Sequence, residues 1–147
     1  MNTNEQLKAT GSLRVVVTGP DGKVKEDHLF KNLVVTTGKD FVASRMVGTS
    51  SSVMSHMAIG ADSTPAAAGD TALGSELGRV ALASSTAAAN VVTYTASFPA
   101  GTGTGAVVEA GIFNAAVAGT MLCRTVFAVV NKGANDAMSV TWTITIS

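Results

Sequence analysis

The stretch AMSVTWTITIS, residues 137–147, decides the fold class of this chain. Large apolar side chains occupy every second position from Met138 to Ile146, and serine or threonine fills the positions between them. This strict period of two predicts a β-strand with one apolar and one polar face. The polar face carries only hydroxyl groups, whereas exposed strands usually carry charges that block pairing with other chains. We therefore expect a β-rich building block whose polar sheet face lies either within a crowded sheet or against another subunit.

Period-two patterns and turn signals recur along most of the chain. Leu13–Thr18 and Lys23–Phe30 flank the turn sequence GPDG at residues 19–22, which predicts a hairpin. Leu33–Thr36 is expected to be a short third segment. Further strands are predicted at Val53–Gly60, Gly78–Ser85, Asn90–Phe98, Ala106–Asn114, Thr120–Val130 and Ala137–Ser147. The pattern favours an all-β fold, a β-sandwich or jelly roll of about eight strands.

One short α-helix is predicted at Gly38–Val47. Thr37 is expected to cap its start and Gly48 to end it in the left-handed conformation. Asp70 could cap one or two further helical turns within Asp70–Leu77. Residues 1–12 are polar and are expected to form a flexible N-terminal arm, which leaves residues 13–147 as a single β-sandwich domain.

Charge is scarce and unevenly distributed. Only 14% of the 147 residues are charged, against about 25% in typical globular domains. Residues 1–45 contain seven Lys or Arg and five Asp or Glu, whereas residues 46–147 contain three and five. Zero net charge protects a free monomer poorly against self-association, and it argues against a nucleic-acid binder, which needs a basic stripe. The uncharged run Val80–Val108 is rich in polar residues, so no membrane span is expected.

The sequence contains few groups that could support catalysis or metal binding. His28 lies in a charged strand and is interpreted as exposed, whereas His56 lies in an apolar strand and is interpreted as a core or interface residue. Two separated histidines do not make a zinc site, and Cys123 is interpreted as a buried structural cysteine. The run GTGTG, residues 101–105, lacks a following Lys-Ser/Thr and is interpreted as a mobile loop or, alternatively, as a contact with a neighbouring subunit. We predict no catalytic residue, no metal site and no cofactor.

Glu109 is the only charged residue between Val80 and Cys123. An unpaired buried carboxylate costs several kcal/mol, so this side chain needs a partner. Arg79 and Arg124 are the only arginines in that half of the chain. We expect Glu109 to form an ion pair with one of them across the sheet, either within the subunit or between subunits.

Several segments together resemble structural proteins of tailed bacteriophage virions. These are MAIG (residues 57–60), DTALGSELGR (70–79), YTASFPAGTGTGAVVEAGIFN (94–114), GTMLCRTVF (119–127) and VNKGANDAMSVTWTITIS (130–147). The resemblance covers about residues 57–147 and contains no catalytic signature. It implies a virion protein, made in the host cytoplasm and located on the capsid surface.

Within this family resemblance, we expect a capsid decoration (cement) protein that binds across major capsid protein subunits and stabilises the assembled head. Its expected partners are the major capsid protein and further copies of itself, as a dimer or trimer. The first alternative is a tail or tail-fibre module that binds a host surface. The second is a small jelly-roll or cupin-like enzyme, which would need a histidine-rich metal site.

Overall fold

The structure, a computed structural model, describes residues 6–48 and 52–147. Its elements in chain order are β1 Ala9–Thr18, β2 Val24–Val34, α1 Thr36–Met46, β3 His56–Gly60, β4 Glu76–Ala81, β5 Ser84–Ala88, β6 Val91–Phe98, β7 Gly105–Phe113, β8 Met121–Lys132 and β9 Ala137–Ile146. The prediction of an all-β protein with one short helix is confirmed. The nine strands form one antiparallel sheet in the order β4-β3-β7-β8-β2-β1-β9-β6-β5.

Strand β2 joins two parts of this sheet. It pairs with β1 from Val24 to Asn32, but it pairs with β8 only through Leu33 and Val34. The sheet curls, and residues of both parts, such as Trp142 on β9 and Ile112 on β7, belong to one buried cluster. We call β2-β1-β9-β6-β5 the first part and β4-β3-β7-β8 the second part.

Strand β9 lies in the middle of the first part, between β1 and β6. The apolar residues Met138, Val140, Trp142 and Ile144 are all buried in the main core, which confirms the predicted two-faced strand. Burying such a side chain stabilises the fold by about 1.5–3 kcal/mol relative to leaving it exposed. The alternation of β9 therefore supplies much of the core and directs its hydroxyl groups outwards.

Several predicted boundaries differ from the structure. The predicted strand Gly78–Ser85 is wrong as a single element, because the chain crosses there from β4 in the second part to β5 in the first. The predicted third segment, Leu33–Thr36, is not a separate strand: Leu33 and Val34 end β2, and Thr36 begins α1. Residues 9–12 of the predicted flexible arm pair with β9 as the start of β1, whereas residues 1–5 lie outside the described residues.

Helix α1 begins earlier than predicted and without the predicted cap. Its N-cap residue is Val35, and no side chain caps the helix. The hydroxyl of Thr37 instead donates a hydrogen bond of 2.9 Å to the carbonyl oxygen of Met121 on β8. Gly48 follows the helix with a φ of 65°, which confirms the predicted left-handed ending.

The predicted helical turns after Asp70 are absent. Residues 70–75 form bends and irregular structure, and β4 begins at Glu76. The carboxylate of Asp70 does not cap a helix, because it accepts hydrogen bonds from the backbone N–H of Ala67 and from the guanidinium of Arg124. The loop that contains Asp70, residues 61–75, lies over the outer face of the second part of the sheet.

Candidate interaction face and buried ion pairs

The outer face of strands β1, β9, β6 and β5 is rich in hydroxyl groups. Because alternate residues point to opposite faces, the neighbours of the buried residues on β1, β9 and β6 point outwards, and Ser84 and Thr86 of β5 lie opposite Thr95 and Thr93 on that face. We call the following residues the hydroxyl face: Thr10, Ser12, Ser84, Thr86, Thr93, Thr95, Ser97, Ser139, Thr141, Thr143 and Thr145. The sequence pattern predicted this face for β9, and the strand pairing extends it over four neighbouring strands.

The strand register aligns these hydroxyl groups in rows across the sheet. One row consists of Ser12, Thr143, Thr93 and Thr86, which are consecutive cross-strand partners. A parallel row places Thr141 beside Thr95, and the Thr95 hydroxyl is hydrogen-bonded to that of Ser84. Neighbouring strands in a sheet lie about 4.8 Å apart, so the hydroxyl groups form a regular lattice.

Charges on this side of the sheet are confined to β1 and β2. Arg14 and Asp27 form an ion pair with 2.6 Å between Nη2 and Oδ2. The Arg14 guanidinium holds the pKa of the Asp27 carboxyl below its ordinary value. Strands β9, β6 and β5 contain no charged residue. The hydroxyl face can therefore contact a neutral partner without removing a charge from water.

Strand β5, which belongs to the hydroxyl face, forms one edge of the sheet. It is the last strand in the sheet order, and all its residues, from Ser84 to Ala88, are exposed. Edge strands normally carry a charge, a proline or a bulge that prevents pairing with another chain. The sequence of β5, SSTAA, has no charged residue and no proline, so its backbone can accept a further strand.

The predicted ion pair of Glu109 is confirmed, and its partner is Arg124 of the same chain. Oε2 of Glu109 lies 2.9 Å from Nη2 and 3.0 Å from Nε of Arg124. Both residues are buried, with 0% and 2% of their surfaces exposed. Strands β7 and β8 are neighbours, and Arg124 lies opposite Gly111, two residues from Glu109 on the same face of β7.

The Glu109–Arg124 pair fastens the loop of residues 61–75 to the sheet. Glu109 accepts hydrogen bonds from the backbone N–H groups of Asp62, Gly74 and Ser75. Arg124 donates to the carboxylate of Asp70 and to the carbonyl oxygen of Thr64. The sequence did not predict this role, because each of these loop groups is at least 34 residues from its partner along the chain. These contacts join the pair to the loop of the same chain.

Arg79, the other candidate partner of Glu109, binds elsewhere. It forms an ion pair with Glu76 at 2.7 Å and donates to the carbonyl oxygens of Ala115 and Ala118. Its guanidinium carbon lies 3.9 Å from the centre of the Phe113 ring, a cation–π geometry. Arg79 therefore helps to cover the outer face of the second part of the sheet.

A second buried cation, Lys132, was not predicted. Only 1% of its surface is exposed, and its ammonium group donates to the carbonyl oxygens of Pro99 and Asp136. Burial lowers the pKa of Lys132, and the nearby Asp136 opposes that shift. The Asp136 carboxylate accepts hydrogen bonds from Lys25 and from the Gly133 backbone, which hold its pKa below the ordinary value.

The residues considered for catalysis are not brought together. His28 stacks on Phe30 and contacts Glu26 at 3.2 Å, with 40% of its side chain exposed. His56 is half-buried and hydrogen-bonded to Ser55 at 2.8 Å, and β7 and β8 separate its strand from that of His28. Cys123 is buried, as predicted, and burial raises the pKa of its thiol.

The loop of residues 101–105, interpreted from the sequence as mobile, has one residue that packs against the core. Gly103 is buried, and a Cβ atom there would lie 2.5 Å from Cδ1 of Ile59. Its φ of 70° also favours glycine. Gly103 thus contacts the core, whereas Gly101 and Thr104 are exposed.

Among residues 6–48 and 52–147, no group of three or more His, Cys, Asp or Glu side chains could hold a metal ion. The same part of the chain has no helix with the length and apolar character that a membrane span requires. No protein-family profile, curated protein or solved structure matches the chain.

Proposed function

We propose that this chain is a capsid decoration protein of a tailed bacteriophage. In this proposal it is not an enzyme, and it binds across neighbouring major capsid protein subunits on the virion surface. It stabilises the assembled head and associates there with further copies of itself. We further propose that the curled sheet belongs to the jelly-roll type of β-sandwich.

The hydroxyl face carries this proposal. It extends over β1, β9, β6 and β5, and three of these strands, β9, β6 and β5, contain no charged residue. Serine and threonine can exchange hydrogen bonds with water for hydrogen bonds with a neighbouring protein at little net cost. A charged surface in the same contact would have to give up the water around its charges, which costs free energy.

The free edge of β5 supports the same function. An added strand of a neighbour could pair with Ser84–Ala88 through its backbone, a common mode of peptide recognition. A protein that binds the assembled shell and not the free subunit stabilises the shell by linkage. Contacts that are repeated over many equivalent sites allow each contact to be weak.

Binding to purified shells tests the proposal. The wild-type protein should sediment with expanded shells and leave monomeric major capsid protein unbound. The variant Thr141→Lys places a charge in the middle of the hydroxyl face and should weaken this binding at least about tenfold, because that charge must be desolvated. Thr71→Lys adds the same charge at an exposed loop position and is the matched control.

Immunogold labelling of intact virions distinguishes a decoration protein from a tail or tail-fibre module. Label over the head supports a decoration protein, whereas label at the tail tip would replace it by the tail or tail-fibre alternative. Absence of label from purified particles, together with no binding to shells, would contradict both functions.

A further inference from the structure

A groove lies beside helix α1, away from the hydroxyl face. It has a volume of about 260 Å³, and its floor is formed by Ala9, Val34 and Ile146, at one end of the first part of the sheet. Val42 and Met46 of α1 form one wall, and Leu7 lines the groove from the segment before β1. Pockets for drug-sized ligands have volumes of about 300–1,000 Å³, so this groove is suited to one or two protruding side chains.

The groove is the centre of an exposed apolar patch. The exposed fractions of Leu7, Met46 and Val47 are 78%, 83% and 78%. Leu7 and Met46 both line the groove, and Val47 directly follows Met46 in the chain. Contiguous apolar surface of this kind marks binding sites more often than isolated exposed residues do.

Two lysines give the groove a positive charge. Lys8 and Lys39 line it, and no acidic side chain of the described residues does. An apolar groove between two ammonium groups is complementary to a bulky apolar side chain flanked by carboxylates. Pairing of two copies through this groove would bring four lysines together, so the charge disfavours self-association here.

We propose that this groove binds an acidic, amphipathic segment of another protein, with an apolar side chain inserted above Ile146 and carboxylates paired with Lys8 and Lys39. That the segment belongs to the capsid shell rests on the proposed function. A lipid surface is the less favoured partner, because membranes take up apolar side chains that protrude from convex surfaces, and this site is concave.

A pair of synthetic peptides tests this inference without a virion. One contains two leucines flanked on each side by two glutamates, and the other has lysines in place of the glutamates. The acidic peptide should shift the backbone amide resonances of Ala9, Val42 and Ile146, and its affinity should fall with added salt. The lysine peptide should shift none of them.

Charge reversal provides the matched comparison. The double variant Lys8→Glu/Lys39→Glu should bind the acidic peptide at least about tenfold more weakly. Lys23→Glu/Lys31→Glu makes the same change in net charge at two exposed lysines away from the groove and should retain the wild-type affinity. Circular dichroism of each variant checks that the fold is kept.

Four results would overturn the inference: no binding of the acidic peptide, equal binding of both peptides, resonance shifts away from the groove, or dimerisation through the groove in free protein. Recruitment to anionic phospholipid vesicles through Lys8 and Lys39, without binding of the acidic peptide, would instead identify a membrane surface. Absence of the protein from virions would contradict the proposed function but leave the peptide result unchanged.

Discussion

At the scale of single residues, the Glu109 carboxylate is the most connected polar group in the described structure. Its two oxygens accept hydrogen bonds from three backbone N–H groups of the 61–75 loop and from the guanidinium of Arg124. A carboxylate has about four acceptor sites, so this group is saturated. Its burial is tolerated because every acceptor site is used.

The substitution Glu109→Gln should destabilise the fold by about 3 kcal/mol, because it leaves Arg124 buried without its main counter-charge. Urea unfolding should show a lower midpoint with an unchanged slope. Glu76→Gln is the matched control, since Glu76 pairs with Arg79 but has 37% of its side chain exposed. This variant should lose less than about 1 kcal/mol of unfolding free energy. Equal losses in both variants would contradict the claim that breaking the buried pair costs more than breaking the exposed one.

The sequence could identify Glu109 as a residue in need of a partner, but it left open whether that partner is Arg79 or Arg124. Which arginine approaches depends on the register of β7 against β8, and register is set by the complete sheet. The loop donors to Glu109 could not be predicted, because backbone N–H groups are the same for every residue.

At the scale of elements, helix α1 is held by its close approach to β8. Gly38 is the one buried residue of the helix, and a Cβ atom there would clash with the carbonyl oxygen of Leu122. The apolar stripe of the helix only partly faces the core: Phe41 is half-buried, whereas Val42 and Met46 are exposed. Glycine therefore lets the helix pack against the strand despite its weak apolar face.

The substitution Gly38→Ala has two opposing effects. Alanine favours a helix by about 1 kcal/mol over glycine, but the clash with the Leu122 backbone should cost about 3 kcal/mol. We expect a net loss, measured as a lower thermal midpoint. Gly69→Ala, where a Cβ atom would meet nothing within 4 Å, should leave the midpoint nearly unchanged. A stabilised Gly38→Ala protein would contradict the close approach.

At the scale of the whole molecule, stability at acid pH depends on a few carboxyl groups. The pKa of Asp136 is lowered by Lys25, that of Asp27 by Arg14, and that of Asp62 by the backbone N–H of Thr64. Because their pKa values are lower in the folded chain, the unfolded chain binds protons first as the pH falls. Acid therefore favours unfolding.

The free energy of unfolding should vary little with these groups above about pH 5 and decrease as the pH falls through about 4 and below. The variant Lys25→Met removes the main cause of the Asp136 shift and should make this decrease smaller. Urea unfolding at a series of pH values measures the free energy of unfolding of the wild-type protein and of the variant. A wild-type protein that becomes more stable on acidification would contradict the direction of the shifts.

The sequence by itself determined the all-β class, the hairpin of β1 and β2, and the two faces of β9. These features depend on neighbours along the chain, since a period of two sorts side chains onto opposite faces whatever the sheet order. Only the tertiary structure decided that β9 lies between β1 and β6, that β4 and β5 are separate, and that Arg124 is the partner of Glu109. The hydroxyl face and the groove beside α1 likewise arise from contacts between distant segments. Such contacts depend on the packing of the entire core, which no local pattern specifies.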